Sequence, residues 1–435
     1  MITIRKPEIF EHNGKVRIQN IIDIETGNGK ESKNLYFDIG PEFAQYLCPE
    51  RSDAYVIGLL NYAMRNKHDI TCEVPMTERL YYQITTYLIP TLSNHSKVLH
   101  PTAILTALER ESIANAGAVG TGMSCGVDSL HVMAAQYAAQ ESGHSKESGD
   151  QYLPNGEPIV THLVHANVGA HGIGERARIL YPGVEANASN FANEAGLPII
   201  NIDSNWAEFI WDGYLTQAWM HPYSNCMVVY LLQKLWNTWL YASSGVAFSE
   251  FNVINTEERK PCRHELLLFD CFSTDRLKIY TEGGTKTRLQ KMQTVVNYPL
   301  SKKYLNVCWL TSSNCSRCAK CSYTLVILDA LNQLDEFSSV FDIAYYKANR
   351  WRYYTRLYSD KLLGDSYMQD VYVALRRRIN VFHRLLGFGR CIGQRFWEIF
   401  QWRICTRIPS LSRWFNKKAQ EWSDRKAGVD STRES

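Results

Sequence analysis

AGAVGTGMSCGVDSLHVMAAQYAAQ, residues 116–140, carries the pattern from which the fold class is inferred. Its first part, up to Met123, is small and apolar, which is typical of a buried strand. Its last part, from Asp128 onward, is typical of a helix. Between the two lies a Ser-x-Gly-x-Asp-Ser turn at residues 124–129. The stretch therefore predicts a strand that runs through a tight turn directly into a helix.

Strands and helices alternate on the carboxyl side of this stretch. The pattern predicts strands at 161–168, 197–202 and 245–254, and helices at 182–195 and 225–242. Strands separated by helices indicate an α/β fold, in which a parallel sheet carries helices on both faces. We assign this domain to residues 98–325.

Three further regions surround that domain. Residues 1–97 read as a small α+β domain, with strands at 16–24, 34–39 and 70–74 and helices at 53–65 and 77–92. Residues 326–422 are helical and rich in basic and aromatic residues, and residues 423–435 are predicted to be disordered.

The turn at 124–129 has the chemistry of a phosphate-binding loop. Gly126 lets the backbone approach an anion, and Ser124 and Ser129 offer hydroxyl donors. The helix that starts after Val127 supplies free N–H groups and the positive end of its dipole. Asp128 fits either a helix cap or a ligand of Mg²⁺. The turn is no Walker A loop, because no Gly-Lys-Ser/Thr follows; an ordinary strand-to-helix turn is the alternative.

Four of the 12 cysteines cluster with the spacing C-x6-C-x2-C-x2-C: Cys308, Cys315, Cys318 and Cys321. Zinc prefers four soft ligands in a tetrahedron, and C-x2-C turns deliver two thiolates at that geometry. Four thiolates leave no open position for water, so the site is expected to be structural. An iron–sulfur cluster and a chance group of buried cysteines are the alternatives.

The composition of the chain indicates where in the cell the protein is located and which partners it binds. The N-terminus has no apolar signal region, and no stretch approaches the roughly 20 apolar residues that span a bilayer. We therefore expect a cytoplasmic protein without a membrane partner.

Residues 345–435 carry 19 Lys and Arg against 8 Asp and Glu, whereas the rest of the chain carries 28 against 36. This basic, aromatic tail fits nucleic acid, an acidic protein partner, or an amphipathic helical cap packed on its own chain.

The turn at 124–129 resembles the SGGxDS signature of the PP-loop ATP pyrophosphatases, with Cys125 at the family's first glycine. Together with the four cysteines, it resembles the 7-cyano-7-deazaguanine synthase (QueC) family over roughly residues 100–330. The resemblance implies an adenine-nucleotide alpha hydrolase-like fold, with ATP, Mg²⁺ and Zn²⁺ as cofactors. It also implies that ATP is split into AMP and pyrophosphate while a deazaguanine carboxylate is activated. The longer architecture resembles the QueC-like proteins of bacterial antiphage defence operons, of the QatC type.

The resemblance suggests roles for residues 124–129, and the position of other residues after predicted strands or on helix faces suggests further contacts. We expect ATP to contact Ser124, Cys125, Gly126, Val127, Asp128 and Ser129, and, after the second strand, Asn167 and His171. We expect catalysis to involve Asp128 and Ser129, together with Arg288 and Lys291, which lie three apart on a predicted helix face and offset phosphate charge. Two alternatives remain. One is a weakened nucleotide-binding scaffold of a defence complex, and the other is a nucleic-acid-modifying enzyme docked by its basic tail.

Overall fold

The computed structural model describes residues 1–27, 29–141, 153, 156–210, 214–243, 265–365, 367–405, 418 and 421. The strands are β1 (Ile2–Ile4), β2 (Glu8–His12), β3 (Lys15–Thr26), β4 (Gly29–Ile39), β5 (Ile70–Cys72), β6 (Met76–Thr77), β7 (Ile104–Leu105), β8 (Leu108–Glu109), β9 (Ala118–Gly122), β10 (His162–Ala166), β11 (Ile199–Ser204), β12 (Trp236–Ala242) and β13 (Lys278–Glu282). The predicted strand at 245–254 and the predicted disordered tail at 423–435 lie outside the described residues.

The first helices are α1 (Asp53–Asn66), α2 (Glu78–Gln83), α3 (Ile89–His95), α4 (Val127–Glu141), α5 (Gly174–Ala195), α6 (Trp206–Ile210), α7 (Tyr214–Leu231) and α8 (Glu265–Cys271). The later ones are α9 (Arg288–Val295), α10 (Ser301–Tyr304), α11 (Ala319–Ala330), α12 (Ile343–Ala348), α13 (Arg350–Leu362), α14 (Gln369–Leu375) and α15 (Val381–Cys405). Within these described ranges, no helix combines the length and apolar character needed to cross a membrane.

An eleven-stranded mixed sheet forms the centre of the fold. Its order is β13-β12-β9-β10-β11-β4-β3-β1-β5-β7, and β2 pairs with β3. Neighbours from β13 through β11 are parallel, whereas β11–β4, β4–β3 and β3–β1 are antiparallel. The α/β class with a largely parallel sheet flanked by helices is therefore confirmed. The strands before and after the predicted boundary at residue 97 join one sheet, because β4 pairs with β11.

Two predicted helices differ from the structure. The helix predicted at 225–242 is wrong: α7 ends at Leu231, and Trp236–Ala242 is strand β12. Strand β12 lies between two parallel neighbours and five of its seven residues are buried, so its sequence lacks the alternation of a half-buried strand. Its Trp, Thr and Tyr residues were the available strand signal. Helix α5 begins at Gly174 rather than at residue 182, with Pro182 in its interior.

The contacts of the chain define two compact units. The first, called the sheet unit, comprises Met1–Met123, Gln136–Gly174 and Ala192–Thr285. Its core joins the sheet to α1 and α7, and Trp206, Trp236 and Tyr230 are fully buried there. The second, called the helical unit, comprises Ser124–Ala135, Glu175–Phe191 and Lys286–Ser435. It contains the 124–129 turn, the four clustered cysteines and the helices from α9 onward.

Candidate functional site

The loop at residues 124–129 folds into a compact turn that opens helix α4. The Gly126 N–H donates to Ser124 Oγ over 3.3 Å, and the Ser129 hydroxyl donates to the Gly126 carbonyl over 3.2 Å. A Cβ on Gly126 would lie 3.2 Å from Ser124 Oγ, which is tighter than ordinary contact. Because α4 begins at Val127, its first N–H groups have no acceptor inside the helix. Ser124 is exposed, so the loop presents a hydroxyl and a helix N-terminus to an incoming anion.

Cys125, which stands at the glycine position of the resembled signature, adopts a left-handed conformation with φ of +56°. This backbone region favours glycine and costs other residues roughly 1–2 kcal/mol. The Cys125 side chain is fully buried, and burial raises the pKa of its thiol to about 12. The thiol is therefore neutral and points into the protein, so it neither crowds an anion at the loop surface nor acts as a nucleophile.

Cys125→Gly should leave nucleotide affinity nearly unchanged, within about threefold, because the side chain that it removes is buried. The free energy of unfolding should change by no more than about 1 kcal/mol, since relief of the left-handed strain offsets the lost burial. Isothermal titration with ATP and denaturant unfolding measure the two effects. A large gain in affinity would show instead that Cys125 obstructs the site.

Asp128, in the first turn of α4, forms a double ion pair with helix α9. Its Oδ2 accepts from Arg288 Nη1 and its Oδ1 from Lys291 Nζ, each over 2.9 Å. Burial opposes ionisation of Asp128, but the charges of Arg288 and Lys291 outweigh it and lower the pKa of the carboxyl. The predicted group of Asp128, Arg288 and Lys291 is thus brought together beside the loop. Two cations and one carboxylate leave it with a net positive charge.

The local sequence determines where Arg288 and Lys291 lie on α9. Thr287 caps the helix: its side chain accepts from the Gln290 N–H, and the Gln290 side chain accepts from the Thr287 N–H. This capping box sets the start of the helix at Arg288. Residues at i and i+3 share a helix face, so Arg288 and Lys291 both reach Asp128. Lys291 is the more enclosed of the two, with its side chain 1% exposed.

His131 lies one helical turn beyond Asp128 and is buried. Burial, together with the positive charges of Lys286 and Lys291, lowers the pKa of His131 to about 4. The imidazole is therefore neutral at pH 7. In the unfolded chain it would titrate near 6.5, so the unfolded state binds the proton more readily.

Stability should consequently fall as the pH drops from about 6.5 toward 4. Between pH 7 and 4.5, the free energy of unfolding should decline by about 2 kcal/mol more in the native chain than in His131→Gln. Urea unfolding at the two pH values measures this difference. The same substitution at His12, on β2, is the control. An equal decline in the native chain and His131→Gln would contradict the assignment.

The four clustered cysteines converge on one point. Their Sγ atoms all lie within 4.8 Å of one another, and those of Cys308 and Cys318 are 3.9 Å apart. Zn–S bonds of about 2.3 Å in a tetrahedron require sulfur atoms about 3.8 Å apart. The backbone N–H groups of Leu310, Cys318 and Cys321 point at three of these sulfurs over 3.3–3.4 Å. The cluster could therefore hold a metal ion such as zinc.

The ionisation of these thiols also fits a cation. Hydrogen bonding with Cys315 and the other two cysteines lowers the pKa of Cys308, and hydrogen bonding with Cys308 and its neighbours raises the pKa of Cys321. Ionisation of one thiol therefore opposes ionisation of its neighbours, because negative charges in a small volume repel one another. A divalent ion removes this conflict, because it stabilises all four thiolates together.

Two asparagines that were not predicted from the sequence organise the metal segment, residues 306–321, and one of them joins it to the loop. The Asn306 N–H donates to the Cys125 carbonyl over 2.9 Å. Asn306 Oδ1 accepts from the Cys308 N–H, and Asn314 Oδ1 accepts from the Val307 N–H. The segment that carries the first cysteine thus also holds the loop backbone. Amide residues close to metal ligands were the available signal, since they often orient such segments.

The helices that follow brace the cysteine turn. Ser316, with φ of +59°, lies between Cys315 and Cys318. The Asp342 N–H donates to Ser316 Oγ, and the Tyr353 hydroxyl donates to the Ser316 carbonyl, each over 2.8 Å. This part of the basic tail therefore packs its aromatics inward, as one of the sequence alternatives proposed.

Asn167 and His171 belong to the sheet unit. Asn167 Nδ2 donates to Asp203 Oδ1 over 2.8 Å, which connects the ends of β10 and β11. The His171 ring lies 6.4 Å from that of His165, whose Nδ1 is 2.9 Å from the Met123 carbonyl. The structure thus gives Asn167 a structural contact, while its predicted role at a nucleotide stays a prediction.

Comparison with protein-family models, with curated proteins and with solved structures yields no match to this chain.

Proposed function

We propose that this chain binds ATP at the 124–129 loop and cleaves it to AMP and pyrophosphate while activating a carboxylate. The observation that carries the proposal is the pairing of that loop with the Asp128, Arg288 and Lys291 group in one unit. A helix N-terminus with two adjacent cations suits a polyanion that gains charge as the bond between the α- and β-phosphates breaks. The family resemblance adds the PP-loop fold, which we also propose.

Each residue then has a defined task. Ser124 and the first N–H groups of α4 bind the pyrophosphate portion of ATP. Arg288 and Lys291 stabilise charge on the leaving pyrophosphate, and Asp128 positions both cations through its two oxygens. Mg²⁺, bound mainly by phosphate oxygens, would neutralise further charge. Fixed cations act without reorganising during the reaction, which is where their catalytic effect originates.

The metal segment supports this site structurally. Zinc bound by Cys308, Cys315, Cys318 and Cys321 would hold the segment that bonds to the Cys125 carbonyl through Asn306. With four protein ligands the ion has no open coordination position, so it would supply stability rather than a reactive water.

The resemblance suggests a deazaguanine carboxylate as substrate, within antiphage defence. A direct test supplies purified, metal-loaded protein with ATP, Mg²⁺, ammonia and 7-carboxy-7-deazaguanine, and follows amide or nitrile formation by mass spectrometry. The matched control is 7-deazaguanine without the carboxylate. ATP consumption that depends on the carboxyl group is the expected result. Consumption that is the same with both compounds would overturn this substrate assignment.

Docking on nucleic acid through the basic tail has less support from the contacts. Arg350 and Arg378 both form ion pairs with the buried Asp329 carboxylate, at 3.1 and 3.0 Å. Tyr346 and Tyr354 donate their hydroxyls to the same carboxylate. These arginines therefore have internal partners that a phosphate backbone would have to displace.

A further inference from the structure

Helix α15 carries a broad apolar surface that neither the nucleotide proposal nor the metal cluster uses. Ten of its apolar and aromatic side chains are between 39 and 71% exposed: Val381, Phe382, Leu385, Leu386, Phe388, Ile392, Phe396, Trp397, Ile399 and Phe400. Single exposed apolar residues are ordinary, but a contiguous patch of this size marks an interaction surface.

The remaining face of α15 packs on α13, which fixes the direction in which the apolar patch points. His383 is buried, and its ring lies 5.5 Å from that of Tyr354. A Cβ on Gly387 would lie 2.8 Å from the Thr355 carbonyl oxygen, so the two helices cross in close contact. The patch is therefore presented outward by a helix that is itself held in place.

The charged and apolar side chains of α15 indicate which kind of partner this surface binds. Among the residues of α15 whose side chains the structure describes, Arg384, Arg390 and Arg395 outnumber the single Glu398. At 3.6 residues per turn, Arg384 and Arg395 project along one border of the patch and Arg390 along the other. Two such helices from two copies would oppose like charges. The aromatic rings of the patch can stack on bases, but the exposed Leu, Ile and Val side chains among them would then face the polar sugar-phosphate backbone, which offers them no apolar contact.

A lipid surface satisfies all of these features. Apolar residues over about half of a helix circumference, rich in Phe and bordered by arginine, characterise helices that lie in the bilayer interface. Anionic headgroups complement the excess positive charge. We propose that α15 docks this chain on an anionic bilayer surface, with its apolar patch in the acyl boundary and its arginines at the phosphates. The expectation of no membrane partner was drawn from the lack of spanning segments, whereas this proposal concerns a helix that lies on the bilayer surface. It is independent of the proposed ATP chemistry.

Co-sedimentation of the full chain with vesicles tests the proposal. Vesicles of phosphatidylcholine with about 30% phosphatidylglycerol should bind at least about tenfold more protein than pure phosphatidylcholine vesicles. The combined change Phe388→Ser, Ile392→Ser and Phe396→Ser should lower binding by more than about tenfold. Arg384→Gln with Arg395→Gln should weaken binding several-fold and reduce its dependence on salt.

Matched controls separate docking from general surface effects. Val373→Ser changes a 58% exposed residue on α14, and Arg110→Gln changes an exposed arginine of the sheet unit; neither should alter binding. Circular dichroism and metal content verify folding, and the salt dependence of the native chain provides a test without any variant. Absence of vesicle binding, or equal binding to neutral and anionic vesicles, would overturn the proposal. A chain that does not bind vesicles but self-associates, and that loses this self-association with the triple change, would also overturn the proposal. The patch would then join two copies.

Discussion

Cys318→Ser should release the metal, destabilise the helical unit and abolish ATP binding. Cys318 has two tasks, since its Sγ belongs to the four-sulfur cluster and also caps α11 by accepting from the Cys321 N–H. Structural zinc contributes about 10–16 kcal/mol in small zinc-finger peptides, so losing one ligand removes a large share of local stability. A destabilisation of 3–5 kcal/mol would lower the Tm by roughly 10 °C. ATP binding is lost as well, because Asn306 no longer holds the Cys125 carbonyl in place.

Plasma mass spectrometry of the purified protein gives the metal and its stoichiometry, and calorimetry gives the Tm. The metal found also separates zinc from an iron–sulfur cluster. Cys391→Ser is the matched control, because this cysteine lies on α15, outside the cluster, and should leave metal content and Tm unchanged. Native protein that contains no metal, or that keeps its Tm after chelation, would contradict the metal assignment.

Lys291→Gln should lower the rate of AMP formation by about 10²–10³-fold, the usual loss when one preorganised charge donor is removed from a reaction site. Lys291 is the most enclosed cation of the group, so solvent screens it least. The change also leaves Asp128 with only Arg288 as a partner, which should cost about 3 kcal/mol of stability. The rate is therefore measured well below the Tm of the variant.

Lys302→Gln provides the comparison for this effect. Lys302 pairs with Glu336 over 2.9 Å at an exposed position, where such pairs contribute less than about 1 kcal/mol. Its loss should leave both rate and Tm nearly unchanged. A Lys291→Gln variant that is destabilised but turns over at the native rate would restrict Lys291 to a structural role.

The local parts of the site could be predicted from the sequence because their chemistry depends on spacing. The turn at 124–129 leads from β9 into α4, and Arg288 and Lys291 meet Asp128 from one face of α9. The four cysteines converge as their spacing predicts. The i, i+3 interval on α9 and the C-x2-C intervals each fix a direction in a helix or turn. The contact of α9 with Asp128, 160 residues away, is not encoded by spacing.

Other features depended on contacts that no interval in the chain encodes. The pairing of β4 with β11, which merges the N-terminal strands into the main sheet, joins segments far apart in sequence. The direction of the Cys125 side chain follows from its left-handed backbone and could not be read from its identity. The link from Asn306 to Cys125 likewise joins two distant backbone groups. The helix predicted at 225–242 failed because a strand buried within a sheet lacks alternation.

The position at which ATP is cleaved distinguishes AMP-forming chemistry at the 124–129 loop from ordinary hydrolysis. Metal-loaded protein would be incubated with Mg²⁺, 7-carboxy-7-deazaguanine and ATP labelled at the α-phosphate, and the products would be separated by chromatography. We expect the label in AMP, with one pyrophosphate per AMP, and suppression of both products by Lys291→Gln. Release of ADP and phosphate, or intact ATP after incubation with correctly folded native protein, would contradict this expectation.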